Sequence, residues 1–398
     1  MSPILLIIIS LILTVLAMKL NRSHPSIKRD KKWVRQFCLM HGTFTIVFYT
    51  IINCIIQHDL KNNDFSSTCR NGTLCVVYFV VTFNYSTMLI NQELLSSLIE
   101  SMKKDYLKIS KSSIDDQTIV SEYAKKSLRV CRQWLIISML GFIPFLIKNF
   151  FLYAYNYYKG DFQLLPIYEM TYPKILEDNR ENIVVYLVMY VLMLYYGMYS
   201  ALMYTAFVPL GPIFMLHSCA QLELIKNRIE GLLVAQNTKE VTEKFKEIVR
   251  QLQYVYSFVE KTKVCFRVVY ELTLKATTII LPITCYEVIE VRILWIFLGE
   301  IRLEFLVFIF GGVLISSSPC YYSDLLMEKG EEVRLAIYCS GWESTASRSS
   351  RSTLLVVLLR ALQPIAIRTM FRTVCLGALT DLFQQSYAIF NLMNAMWK

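Results

Sequence analysis

Six polar side chains punctuate the apolar C-terminal segment: Thr380, Gln384, Tyr387, Asn391, Asn394 and Lys398, at alternating steps of four and three. On an α-helix that spacing gathers them into one narrow seam, while Leu379, Leu382, Phe383, Ile389, Phe390, Met393 and Trp397 cover the other faces. The chemistry open to such a seam is solvation. Amides and a phenol hydrogen-bond water or hydrated ions, and in hydrocarbon they are costly unless paired or turned toward a cavity. A water-filled path shared between subunits is one reading. Packing against the chain's own bundle is the other, and the pattern alone leaves both open.

Other reactive residue types are sparse. Glu300, Arg302 and Glu304 lie together in an apolar run with Trp295, Phe297, Phe305 and Phe308, where buried charge is a functional-site candidate by default. Glu300 and Glu304 stand one turn apart with Arg302 near, so an inter-helix ion pair that fixes packing is the preferred reading. The four histidines, His24, His41, His58 and His217, are dispersed. The eleven cysteines include several inside apolar runs (Cys54, Cys265, Cys285, Cys375) and form no CxxC or Cys/His cluster. No catalytic or metal site and no cofactor is expected. Cys69 and Cys75 alone fall near one loop and could pair there, but a dispersed odd set reads as small buried hydrophobes.

The elements that must position the seam follow from composition. With 398 residues, 55% apolar and 18% charged, and a mean hydropathy of +0.42, the chain is too apolar for a soluble domain of this size. It reads as an all-α, polytopic membrane protein. Runs of about 20 apolar residues predict seven spans, near 37–57, 73–92, 134–155, 183–217, 264–287, 293–317 and the closing segment. The net charge of +10 is concentrated in alternate connections and not spread as a nucleic-acid footprint. Lys28, Arg29, Lys31, Lys32 and Arg35 precede the first span. Lys103, Lys104, Lys108, Lys111, Lys125, Lys126, Arg129 and Arg132 follow the second, and Lys226 to Lys263 follow the fourth. Cationic connections stay cytosolic, so the N-terminus is expected inside and the C-terminus outside. Asn71-Gly72-Thr73 is then a glycosylation sequon in an outward loop.

Several stretches suggest a pocket. Tyr78, Phe79 and Phe83 recur about one turn apart in the second span. Ser138, Gly141 and Phe145 put two small residues and one large on a face of the third, which Pro144 kinks. Tyr186, Tyr190 and Met193 open the fourth, where tyrosine also suits the interfacial belt. Small residues opposite aromatic ones leave room for a ligand, but they equally let helices approach closely in lipid. The loop 156–182, with Leu164-Leu165-Pro166 and Tyr172-Pro173, could cover such a pocket. Below the fourth span, Leu222, Ile225, Ile229 and Leu232 form an apolar helical face that calls for an oligomeric partner. The apolar start, Pro3 to Met18, lacks a basic beginning and a small-x-small cleavage site. It suits an anchor helix, a re-entrant segment or a misplaced gene start. Four segments result: 1–36, 37–317, 318–363 with a Ser/Arg-rich linker at Glu343–Ser352, and a last helix at 364–398.

From about residue 33 onward most of the chain resembles the insect odorant receptors, most sharply toward the C-terminal end. The match lies in Cys320-Tyr321-Tyr322, then Ala336-x-Tyr338-x-x-x-Trp342, Arg360-Ala361-x-x-Pro364 and Ser386-Tyr387, supported by the HSCAQLELIKNRI stretch from His217. The resemblance implies a tuning subunit of a non-selective cation channel, gated by a volatile odorant and assembled as a heterotetramer with the odorant receptor co-receptor in the plasma membrane of olfactory neurons. It implies a ligand site in the outer half of the bundle at Tyr78, Phe79, Phe83, Ser138, Gly141, Phe145, Tyr186, Tyr190 and Trp295. It implies a pore face at Gln384, Tyr387, Asn391 and Asn394, with an apolar gate on Leu392 or Met393 and Met396 or Trp397. Membrane lipid is the surrounding partner; nucleic acid is not one. The chain departs from the family in its apolar start and in its ending at Asn391–Trp397, which differs from gustatory receptors and from the co-receptor. An inverted-topology gustatory-type channel is the alternative. A G-protein-coupled receptor fits less well, since neither Asp-Arg-Tyr after span three nor Asn-Pro-x-x-Tyr in span seven is present.

Overall fold

Apolar runs longer than a membrane is thick become helices, because a helix satisfies its own backbone hydrogen bonds. The computed structural model describes residues 14–62, 65–141, 143–160, 167, 178–179, 182–231, 238–298, 303–341 and 348–396. In chain order the helices are α1 (Lys31–Cys54), α2 (Phe65–Ile90), α3 (Gln92–Ile109), α4 (Ile114–Leu140), α5 (Ile143–Lys159) and α6 (Ile183–Phe207). They continue as α7 (Leu210–Glu230), α8 (Thr238–Leu298), α9 (Leu303–Tyr338), α10 (Arg348–Ala361) and α11 (Leu376–Met396). The fold is all-α. Side-chain caps set several starts: Asp30 accepts from the Trp33 amide, Ser113 from Asp116 and Asn182 from Val184. The third span is divided at Gly141, just before Pro144, as the predicted kink requires.

Among the described residues four helical stretches, Lys31–Asp59, Ser67–Ile90, Ile183–Glu230 and Leu306–Tyr338, are long and apolar enough to cross a membrane. The other expected spans are helical but diluted, α4 by its cations and α11 by its seam. Length separates membrane from base. The 61 residues of α8 run about 90 Å and the 36 of α9 about 54 Å, against a hydrocarbon core of about 30 Å. Together with α3, α7 and the lower part of α4, they form a helical base.

α7 is the centre of that base. It packs against α4, α8 and α9, and its residues Leu222, Ile225 and Ile229 are fully buried inside this one chain. The oligomeric partner expected for that face is therefore not needed: α7 is partnered internally, and the fourth residue, Leu232, lies outside the described residues. A cluster of exposed apolar side chains of the base sits on α9, on α10 and just after it, at Leu335, Leu355, Val356, Leu359 and Leu362. His217 is buried between Asp105, 3.0 Å from Nε2, and the Tyr106 hydroxyl, 3.2 Å from Nδ1.

An ionic lattice joins α7 to α9. Lys329 lies 2.8 Å from Glu223 and 2.8 Å from Glu332, and Lys226 lies 3.0 Å from Glu332. Burial pulls the Lys329 amine down, but its hydrogen bonds to Glu223 and Glu332 outweigh this and hold it above the usual lysine range. Burial likewise pushes Glu332 up, and the ammonium groups of Lys329 and Lys226 more than reverse that, leaving the carboxyl below its ordinary value. The Lys226 amine is raised, chiefly by its bond to Glu332.

The described part of the apolar start, residues 14–20, is helical, and Thr14, Ala17 and Met18 are buried in the bundle. Asn21 ties it down, taking the Tyr85 hydroxyl on its carbonyl at 3.1 Å while its amide donates to Met203 sulfur on α6 at 3.2 Å. The segment is thus inserted among the helices. The Cys69 and Cys75 thiols are buried in α2 and not bridged, as their reading as small buried hydrophobes has it; six residues along one helix separate them by about 9 Å, beyond disulfide reach. The glycosylation expectation is corrected. Asn71 is only 2% exposed, and its amide donates to the buried Asp59 carboxylate at 2.7 Å, so the sequon is not a surface site in this fold.

The lattice makes a pH prediction. A carboxyl held low contributes stability above its unfolded value of roughly 4.3, lost as pH falls through the folded pKa; amines held high contribute below roughly 10.4, lost as pH rises. Thermal stability of the purified protein is expected to be flat between about pH 5 and 10 and to fall on either side. Lys329→Met is expected to cost about 2 kcal/mol, between the values for exposed and buried pairs. An unchanged melting temperature for Lys329→Met would remove the lattice from the account of stability.

Candidate ligand cavity and seam-bearing helix

Where α2, α4, α6, α8 and α9 converge, small residues hold the helices apart around a cavity of about 160 Å³. Gly197, Ser200 and Ala201 open the α6 wall, Ala276 and Thr277 that of α8, and Gly311 and Gly312 that of α9. Large side chains close it: Leu74, Val77, Trp134, Ile137, Tyr196, Tyr204, Phe308 and Ile315. The lining is mainly hydrocarbon with a few hydroxyls, the chemistry of a pocket for a small, mostly apolar molecule. Its size is close to that of the roughly 150 Å³ engineered cavity that takes up benzene.

Ser138 and Gly141 line this cavity, as the spacing on the third span suggested. The other proposed contacts lie elsewhere. Phe79 and Phe83 are 56% and 38% exposed on the outside of α2 and do not line the cavity. Tyr78 is buried but turned toward α1, its ring 4.0 Å from Phe48 centroid to centroid and its hydroxyl 2.9 Å from Thr45. Tyr186 and Tyr190 lie with their ring centroids 5.9 Å apart, tilted 41° to each other, and the Tyr186 hydroxyl bonds that of Tyr153. Tyr190 belongs to a separate groove with Asn149, Phe150 and Tyr153. The side chains of Phe145 and Trp295 lie outside the described residues, as do Glu300, Arg302, most of the 161–181 loop, Trp342, Trp397 and Lys398. The spacing argument missed Trp134, Tyr196, Ser200 and the whole α8 wall. Their one sequence signal is the small pairs Ser200-Ala201, Ala276-Thr277 and Gly311-Gly312 on helices that come to face each other.

The C-terminal helix begins at Leu376 and not at Pro364. Between them residues 365–374 form a tight reversal, with the Val374 amide on the Ile367 carbonyl at 2.9 Å and the Thr369 amide on Arg372 at 2.9 Å. Ile367 and Val374 are fully buried, which anchors the turn. α11 buries Ala378, Leu379, Leu382 and Ser386 against α8 and α9, and the Ser386 hydroxyl donates to the Thr278 carbonyl at 3.3 Å. Its opposite face is bare. Thr380, Gln384, Tyr387 and Asn391 are exposed and Asn394 is half-buried. Leu392 and Met396 are also exposed, and Met393 is half-buried. The seam is therefore not packed against the chain's own bundle, and the second reading of its spacing is set aside.

α9 links cavity and seam. Its upper part supplies Val307, Phe308, Gly311, Gly312 and Ile315 to the cavity. Lower down, the Ser323 hydroxyl accepts from the Ile367 amide at 3.3 Å, and the Asp324 carboxylate accepts from the Leu376 amide at 3.3 Å. Asp324 thus caps the N-terminus of α11 from 52 residues away, where free N–H groups and the helix dipole favour a negative charge. The turn is also held to α8, where Lys275 sits over the Phe371 ring at 4.5 Å.

The 7tm odorant receptor family model matches residues 64–387. The chain belongs to the 7tm odorant receptor family. Among curated relatives, odorant receptor 13a of Drosophila melanogaster is 21% identical over 408 residues, spanning 96% of this chain and 94% of that one. The odorant receptor family member described here shares its fold with the insect olfactory receptor OR5 from Machilis hrabei. The TM-score is 0.70 at 14% identity, over 97% of this chain and 96% of the other. Against the same receptor in complex with eugenol it is 0.74 at 15% identity, over 98% and 97%.

In this odorant receptor family member, Ala201→Leu adds three carbons into the cavity. Benzene uptake by the purified protein, followed by ligand-observed NMR, is expected to fall at least about tenfold while the melting temperature holds or rises, as cavity filling usually gives. Undiminished benzene binding would show that the molecule enters elsewhere.

Proposed function

We propose that this chain is an odorant-binding subunit of a ligand-gated, non-selective cation channel, a receptor and not an enzyme, assembled as a heterotetramer with the odorant receptor co-receptor. It acts in the plasma membrane of olfactory neurons, with the basic base in the cytosol and the C-terminus outside. The observation that carries this reading is the bare polar seam on α11. Gln384, Tyr387 and Asn391 are exposed on a largely apolar helix, with Asp381 and Gln385 exposed beside them in its first half, and facing a water-filled axis shared with other subunits relieves the cost of placing amides in hydrocarbon. Leu392, Met393 and Met396 supply an apolar gate beyond them. The exposed apolar residues of α10 supply the contact between subunits, a surface continuous with the segment 318–363.

The ligand enters the cavity by area burial. A ring-sized molecule covering about 250 Å² gains on the order of 6 kcal/mol at roughly 25 cal/mol per Å², before the entropy of association offsets part of it. Gating requires tighter binding to the open state, and each 1.4 kcal/mol of differential affinity shifts the population about tenfold. Because α9 forms one cavity wall and caps α11 through Asp324, a small repacking of Phe308 and Ile315 reaches the seam along one helix, by way of the bend point at Pro319. OR5 from Machilis hrabei in complex with eugenol supports binding of a small aromatic volatile by this fold.

Whole-cell recording tests the assignment. Cells expressing this chain with an insect co-receptor are expected to pass a rapid cation current on exposure to volatiles, one that survives a G-protein block and is absent without the co-receptor. Replacing Asn391 or Asn394 by Ala is expected to change relative ion permeability. A response abolished by the G-protein block would overturn the channel reading. Asp324→Ala removes a cap of about 1 kcal/mol. It is expected to move the half-maximal ligand concentration about fivefold with unchanged binding of ligand to the purified protein, whereas Asp324→Asn retains most of the native response. Equal behaviour of the two variants would show that Asp324 acts only in folding.

A further inference from the structure

Of the five serine and threonine hydroxyls on the cavity wall, four are spent on the backbone of their own helices. Thr73 donates to Cys69 at 3.0 Å, Ser138 to Trp134 at 2.7 Å, Thr273 to Val269 at 2.8 Å and Thr277 to Thr273 at 2.9 Å. Ser200 differs. It is 8% exposed, it lines the cavity, and its Oγ has no hydrogen-bond partner among the described residues. An unpaired buried hydroxyl is disfavoured, and the group that relieves it gains the difference. Tyr196, one turn earlier on α6, turns its hydroxyl to the Leu74 carbonyl at 2.7 Å.

We propose that Ser200 is the polar anchor of the cavity, and that the ligand is a compact volatile of about one ring carrying a hydrogen-bond-accepting oxygen, a ketone, aldehyde or ester and not a bare hydrocarbon. This rests on the reading of the cavity as the ligand site. A serine hydroxyl donates one hydrogen bond, so a ligand carbonyl pointing at α6 satisfies Oγ. The ligand's hydrocarbon body then lies among Val77, Trp134, Ile137 and Phe308 on the facing helices. Size sets the other limit. A cavity of about 160 Å³ holds a molecule near benzene in bulk. A site built to bond an oxygen discriminates against the isostere lacking it more strongly than an apolar wall discriminates by a methylene.

The test uses two ketone and alkene pairs of matched shape, acetophenone with α-methylstyrene and cyclohexanone with methylenecyclohexane. Their binding is measured to the full-length protein purified in detergent, by ligand-observed NMR. Each ketone is expected to bind about tenfold more tightly than its alkene. Ser200→Ala is expected to bring the ketones to the affinity of the alkenes and to leave the alkenes within about twofold. Ser200→Cys, which keeps the shape with a weaker donor, is expected to fall between, and serves if the alanine variant does not fold. Equal binding of ketone and alkene by the natural chain overturns the anchor and leaves the cavity reading standing. So does a ketone preference that survives Ser200→Ala. No binding of any of the four molecules overturns the cavity reading together with the anchor.

Discussion

One helix imposes the main constraint on this structure. α9 forms a wall of the cavity with Phe308, Gly311 and Gly312 and, further along, closes the first amide of α11 with Asp324. This 36-residue helix carries Pro319 between its cavity wall and Asp324, so a displacement at one end reaches the other through the turn around that proline, where a helix bends most readily. The cavity and the seam are consequently joined by one helix with a single internal joint. The turn 365–374, held by the Ser323 hydroxyl and by burial of Ile367 and Val374, leaves little slack between α9 and α11.

The base supplies what α9 moves against. α7 is buried around nearly its whole circumference, and the lattice of Glu223, Lys226, Lys329 and Glu332 fixes its register on α9. Close approach adds to this: a Cβ at Gly211 would stand 1.6 Å from the Tyr270 hydroxyl, so any larger residue there would have to displace the buried Tyr270 side chain. The upper bundle is looser by contrast. Small residues on α6, α8 and α9 leave a cavity where the base has interlocked side chains, and free volume marks where repacking costs least.

Patterns with a period were legible in the sequence, and choices of direction were not. The four-and-three spacing placed Gln384, Tyr387 and Asn391 on one face, and that face is bare. Spacing likewise brought Ser138 and Gly141 together. The same logic put Phe79 and Phe83 on one face of α2 but could not say that it looks outward, because lipid and pocket both welcome phenylalanine. Leu222, Ile225 and Ile229 called for a partner; periodicity does not distinguish another chain from α8 and α9 of the same chain. Pro364 announced a break, yet only long-range packing shows that the chain reverses before restarting at Leu376. Asn71 matched a sequon that depends on exposure, and Asp59 twelve residues earlier claims its amide. Ser200 carries no motif. Its distinction is the absence of a hydrogen bond, which exists only once the helices are assembled.

The cap at Leu376 also makes α11 a lever with its fulcrum at one end. Its 21 residues extend about 30 Å, and a tilt of about 10° about the capped end moves Gln384 by about 2 Å but Met396 by about 5 Å. In the proposed channel, amplitude therefore grows along the seam: Gln384 stays near the fulcrum, while Asn391 and Asn394 travel almost as far as the apolar Leu392, Met393 and Met396 among which they stand. A hinged rod of this kind widens the far end of an axis more than its near end, so amides and apolar side chains at the tip part company together.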